Sequence, residues 1–183
     1  EWTSALYRVH RLVHGPVWFG RGAENRFDDP RGEYGVLYAS EDLEGAYLET
    51  VRLEAQPGKP LPIGPTEGWL FARGWSRLTV KRPLRLVDLA AQQKKLRIGG
   101  EVMSGPDYET SRAWSRAFFE HPDRADGLLY RARHGQDRLS IALFARGETL
   151  LDLGLTVRFE EDLDRTLDLL EACDHLPVPD DDR

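Results

Sequence analysis

Cysteine is almost missing from this 183-residue chain: Cys173 stands alone, which excludes an internal disulfide framework and any multi-cysteine metal site. Such a chain suits a reducing compartment, and a cytoplasmic setting is expected. Long hydrophobic runs are missing too. The longest, such as Gly35-Val36-Leu37-Tyr38-Ala39, fall far short of the roughly 20 apolar residues of a membrane-spanning helix. No basic stretch followed by an apolar one opens the sequence, so neither export nor membrane attachment is expected. Positive charge is in deficit. The 25 Lys and Arg against 31 Asp and Glu leave a formal charge of −6, which argues against a general binder of nucleic acid.

The common chemistry motifs are absent as well. Gly20-Arg21-Gly22 lacks the third glycine of a dinucleotide fold, and there is neither a P-loop nor a Gly-x-Ser-x-Gly elbow. His10 and His14 are four apart, a spacing that places two metal ligands on one face of a helix. They lie, however, in a stretch that reads as strand, so packed or solvated imidazoles are expected and no metal.

What is present is a globular composition, 40% apolar and 31% charged, in a chain long enough to bury a core without staples. One domain over residues 1–176 is expected, followed by an acidic, proline-containing tail over 177–183 that has nothing to bury. Alternation predicts a strand from Ala5 to Val13, and Gly35–Ala39 reads as a second. Ser40 is placed to cap a helix from Glu41 to about Glu54, with Leu43, Ala46, Tyr47, Thr50, Val51 and Leu53 on one face. A Pro/Gly-rich loop follows over 56–65. Strands are predicted at Trp69–Ala72, Arg77–Lys81 and Leu84–Leu89, and a loop over 98–107 leads to a helix from Thr110 to Glu120. Gly127–Ala132 and Leu139–Ala145 read as a hairpin around 134–137. The last helix runs from Glu160 to His175, with Leu163, Leu167, Leu170 and Cys173 at helical spacing. Strands outnumber helices without alternating regularly, which predicts an α+β fold with a mainly antiparallel sheet.

One region is denser in polar candidates than its length requires: Arg8, Arg21, Arg26, Asp28, Asp29, Tyr34, Tyr38 and Glu49. Glu49 borders the apolar stripe of its helix, where a carboxylate can face a cleft. Glu44 borders the other edge equally well, so periodicity does not choose between them.

The ordered blocks Tyr7-Arg8-Val9, Asn25-Arg26-Phe27-Asp28, Gly35 to Ser40 and Ala46-Tyr47-Leu48-Glu49-Thr50 resemble the RES domain family, named for an Arg, a Glu and a Ser. Leu84 to Leu89, Thr110 to Phe118, Asp126 to Tyr130 and Ala142-Leu143-Phe144 extend the resemblance to roughly Ala5–Leu170. It implies a split, ADP-ribosyltransferase-like sheet flanked by helices. It also implies a bacterial toxin held in check by an Xre-type antitoxin, with NAD+ as substrate and phosphate or water as acceptor. Transfer of ADP-ribose to a protein, or a fold that kept binding and lost catalysis, are the alternatives.

Carried across by position, the family's residues are Arg8, Arg26, Tyr38 and Glu49, with Tyr130 beside the serine position. Arg8 and Arg26 suit a pyrophosphate, because guanidinium forks bind phosphate oxygens and keep their charge. Tyr38 offers a ring on which nicotinamide can stack. Glu49 suits the developing oxocarbenium ion, as carboxylates do in glycosidic cleavage. Arg8, Tyr38 and Glu49 are the expected catalytic set, converging with Arg26 and Tyr130 on one dinucleotide-binding hollow. The chain departs from the family at Ala132, which stands where the serine is expected; Ser140 is a candidate substitute.

Overall fold

The computed structural model describes residues 1–51, 64–96, 108–132 and 138–177. Seven strands form one mixed sheet: β1 (Leu6–Arg11), β2 (Val36–Ser40), β3 (Arg73–Val80), β4 (Leu86–Asp88), β5 (Gly127–Arg131), β6 (Leu139–Phe144) and β7 (Leu151–Arg158), in the order β4-β5-β6-β2-β1-β3-β7. Among the described residues, β4 and β5 pair in parallel and the other five pairings are antiparallel, so the α+β expectation holds. The expected split does not. Hydrogen bonding runs through all seven strands, although β1 and β2 meet only at Tyr7 opposite Ser40. Beyond that pair they diverge, and Gly20 bridges Val36 in the space that opens. Gly35 permits this approach, since a Cβ there would lie 2.5 Å from the Phe19 carbonyl oxygen.

Among the described residues five helices accompany the sheet: α1 (Leu43–Thr50), α2 (Glu67–Phe71), α3 (Leu89–Leu96), α4 (Glu109–Glu120) and α5 (Leu163–Ala172). Helix α1 starts later than expected. Ser40 belongs to β2, where its hydroxyl bonds that of Ser140 at 2.8 Å, and Asp42 caps the helix instead by accepting from Gly45 N–H at 2.7 Å. It also ends earlier, at Val51, whose backbone is extended. Trp69–Ala72, read as strand, is mostly the short helix α2. Thr66 Oγ1 accepts from Trp69 N–H at 3.2 Å, and that cap outweighs the β preference of the aromatic residues.

Two elements lie where no regular structure was expected. Asp88 Oδ1 accepts from Ala91 N–H and so caps α3, and β7 follows a 3-10 turn over Ala145–Leu150. In β7 the signal was legible, as Leu151, Leu153, Leu155 and Val157 alternate with polar residues and Gly154. The final helix is shorter than its apolar pattern suggested and turned differently. Leu163 and Leu167 are 54% and 53% exposed, whereas Thr166, Leu169 and Leu170 are buried and Cys173 is half-buried against α1. The β5–β6 hairpin is present. Its turn at 134–137, most of the Pro-rich loop, the 98–107 loop and the tail from 178 onward lie outside the described residues.

Alternation along the strands sorts the core onto two faces. One carries Val9, Trp75, Val36, Tyr38, Leu128, Tyr130 and Phe144 and is covered by α1, α4 and α5. The other carries Leu6, Leu37, Ala39, Leu78, Ile141 and Leu143 and packs on Leu84, Leu151, Val17 and Phe19.

Candidate functional site

The loop from Glu24 to Asp29 is built around one carboxylate. Asp28 Oδ2 accepts from the backbone N–H groups of Glu24 (3.0 Å) and Asn25 (2.8 Å) and from the Asn25 side chain (3.1 Å). Its Oδ1 accepts from the Tyr38 hydroxyl at 2.9 Å, while that hydroxyl accepts from Phe27 N–H at 2.9 Å. Helix α4 braces the same loop. Arg112 Nε donates to the Asn25 carbonyl at 3.0 Å and Ser115 Oγ to the Phe27 carbonyl at 2.7 Å. Arg116 binds the fully buried Asp29 at 2.9 Å, with Glu33 and Glu120 completing its partners.

This bracing sets Arg26 in place. It is 8% exposed, and its guanidinium lies 4.7 Å from the centre of the Tyr108 ring, which Arg112 approaches from 5.6 Å. Phe27 packs edge-on against Tyr130 at 4.8 Å. The Tyr130 hydroxyl donates to Glu49 Oε2 at 2.9 Å, joining β5 to α1.

Four of the five expected residues therefore share one neighbourhood. Burial raises the pKa of the Tyr130 phenol well above the ordinary range, the charge of Glu49 and the neighbouring Tyr38 add to the rise, and Arg26 opposes it. Burial does the same to Tyr38, followed by Asp28, with Glu49 also contributing. Both phenols stay protonated and act as hydrogen-bond donors at neutral pH. Glu44, which periodicity could not separate from Glu49, pairs with Arg138, as does Asp42. Tertiary packing thus assigns the two carboxylates different neighbours.

Arg8 departs from the expected convergence. In β1 it alternates with Val9 and lies on the opposite face from Tyr38 and Tyr130, the face of Leu6 and His10. Its Nη1 donates to the carbonyls of Pro16 (3.1 Å) and Trp18 (2.8 Å). It therefore holds the segment that fills the gap between β1 and β2, and burial lowers its pKa to about 10.

Ala132 is buried, its N–H donating to the Arg138 carbonyl at 3.0 Å. Ser140 lies opposite Tyr130 in the hairpin and so on its face, but its hydroxyl is fully buried against Ser40. His10 and His14 do not converge. His10 Nε2 shares a 2.9 Å hydrogen bond with Ser76 Oγ, and His14 stacks on Trp18. Among the described residues no three His, Cys, Asp or Glu side chains gather as a metal site, and no helix is long and apolar enough to cross a membrane. Tyr108 and Asp28 are the neighbours that sequence reasoning left out of the site. Asp28 was visible in the polar-rich region, whereas no local pattern marks Tyr108.

A family model for the RES domain matches residues 5–168. A protein named probable toxin y4kH, from Sinorhizobium fredii, is 28% identical over 111 residues, covering 58% of this chain and 85% of that protein.

Proposed function

The chain belongs to the RES domain family, and from that premise we propose that it is a toxin-type enzyme that consumes NAD+ by breaking the bond between nicotinamide and ribose. The observation that carries this reading is the 2.9 Å hydrogen bond from Tyr130 to Glu49 beside Tyr38 and Arg26. A carboxylate positioned by a protonated phenol suits a reaction in which cationic charge develops on the ribose ring. The electron pair of the glycosidic C–N bond leaves with nicotinamide, which departs neutral. Phosphate or water then supplies the electron pair of the new C–O bond, giving ADP-ribose phosphate or, as the attacking water releases a proton to solvent, ADP-ribose. Glu49 stabilises the ribosyl cation and Tyr130 orients Glu49. Arg26 binds the pyrophosphate, and the ring of Tyr38 packs against nicotinamide. Arg8 is assigned the support of this site and not contact with NAD+. The sheet is read as ADP-ribosyltransferase-like, the setting as cytoplasmic, and the partner as an Xre-type antitoxin that restrains the activity.

Purified protein incubated with NAD+ is expected to release nicotinamide, and product analysis with and without phosphate identifies the acceptor. Glu49→Ala is expected to slow release roughly a hundredfold, the scale of losing one preorganised electrostatic group. Equal release from wild type and Glu49→Ala, both folded by circular dichroism, overturns the reading.

Ala132 favours a second reading, a RES fold that binds NAD+ or its antitoxin without turnover. Calorimetric NAD+ binding with no nicotinamide release identifies it. Mass spectrometry of lysate proteins after incubation with labelled NAD+ tests for a protein acceptor.

A further inference from the structure

At the far end of the β1–β3 pairing two arginines stand opposite one another, Arg11 and Arg73. The adjacent rung is hydrogen-bonded, Leu12 N–H donating to the Ala72 carbonyl at 3.1 Å, and the Arg73 carbonyl turns away to accept from Phe159 N–H at 3.2 Å. Arg11 and Arg73 are thus a non-hydrogen-bonded pair, the kind whose side chains come closest, and like charges placed so repel. Among the described residues neither arginine has an ion pair. The acidic residues following β7 are engaged elsewhere: Glu160 binds Arg158 at 2.7 Å, and Glu161 accepts from Arg158 N–H at 3.2 Å.

Arg73 is held firmly all the same. Its guanidinium lies 4.0 Å from the centre of the Trp69 ring, and Nη1 donates to the Trp69 carbonyl at 2.9 Å. Its Nε is buried with no hydrogen-bond partner. Burial, and secondarily the charge of Arg11, lower its pKa to about 10. An unsatisfied buried donor beside a second, solvent-facing guanidinium is costly unless an acceptor occupies the space between them.

We propose that Arg11 and Arg73, backed by Trp69, form a binding site for a phosphate dianion. Two guanidiniums balance two negative charges, and their planar forks match phosphate oxygens. A local positive field of this kind operates despite the net charge of −6. The site lies on β1, β3 and α2, which carry none of Arg26, Tyr38, Glu49 and Tyr130, so it does not rest on the proposed reaction.

Thermal unfolding and tryptophan fluorescence at matched ionic strength test it, with inorganic phosphate and AMP as dianion probes, acetate as monoanion control and chloride as baseline. A saturable response to inorganic phosphate assigns the site to the free ion, and a response to AMP alone assigns it to a phosphate monoester. Arg11→Gln and Arg73→Gln are each expected to weaken the response about tenfold or more, the scale of losing a charge-assisted hydrogen bond. Arg11→Glu is expected to raise Tm in chloride, by pairing with Arg73, and to abolish the anion response. Because phosphate is also a proposed acceptor near Glu49, Glu49→Ala serves as control and retains the Arg11-dependent shift. No response to either dianion, an equal response to acetate, or a full response in Arg11→Gln and Arg11→Glu overturns the proposal.

Discussion

Glu44 and Glu49 sit on one helix, five residues apart, and periodicity treated them alike. In the folded chain Glu44 meets the cation of Arg138 and Glu49 meets the phenol of Tyr130. The difference comes from residues about ninety positions away, which no local reading reaches. Arg8 shows the converse: its residue type suited an anion, yet its place in the strand directs it to two backbone carbonyls. His10 carries a prediction at this scale. Burial lowers its pKa below the ordinary 6.5, and Arg8 adds to that, while the carbonyl of Arg11 opposes it. The folded state therefore takes up a proton less readily than the unfolded one. The stability His10 contributes is complete above pH 6.5 and is lost as pH falls through its lowered folded value. Denaturant titrations from pH 7.5 to 5 are expected to show a stability loss in wild type that is smaller in His10→Gln. Cys173, whose thiol burial pushes up to about 11, is expected to alkylate slowly at pH 8, as counted by mass spectrometry before and after unfolding.

Strands and helices were legible where the local hydrophobic pattern was unopposed, as in β1, β2, α4 and the β5–β6 hairpin. They were misread where another interaction outweighed that pattern. In α2 the Thr66 cap prevailed over aromatic β preference, and in α5 the apolar spacing found half of the inward face: Leu170 and Cys173 pack in the cluster with α1, while Leu163 and Leu167 are exposed and Leu169 is buried in their place. The parallel β4–β5 pair rests on Asp126, which burial alone would drive toward the neutral form. Arg82, at 2.9 and 3.0 Å, and the Arg85 N–H, at 2.8 Å, outweigh burial and hold its pKa below the usual value. Asp126→Asn is expected to cost about 2 kcal/mol in urea unfolding, since it replaces charge-assisted hydrogen bonds with neutral ones. The loss is expected near neutral pH and to shrink as pH falls below about 3.8, where Asp126 of the unfolded chain takes up a proton, and to vanish below the lowered value of the folded state.

Across the whole molecule, the narrowest joint is the single Tyr7–Ser40 pair between β1 and β2. Segment 16–20 fills the divergence beyond it, and Arg8 secures that segment. Arg8→Ala leaves two carbonyls short of a donor and is expected to destabilise the fold by about 2 kcal/mol. Well below the melting temperature it is expected to keep far more nicotinamide release than Glu49→Ala. Comparable losses in both would return Arg8 to the site. Ala132→Ser tests the serine position, with nicotinamide release expected to rise up to about tenfold, the return from one added hydrogen bond. No change would mean that residue 132 does not face the reacting group.

By itself the amino-acid order determined the α+β class, most strand positions, the RES resemblance and the identity of the polar residues, because each is written in neighbours a few positions apart. Which carboxylate meets Tyr130, which face Arg8 takes and how Arg26 comes to lie against Tyr108 were decided only when β2, β5, α1 and α4 closed around the 24–29 loop. Those contacts join residues tens of positions apart, and only the packed sheet sets their register.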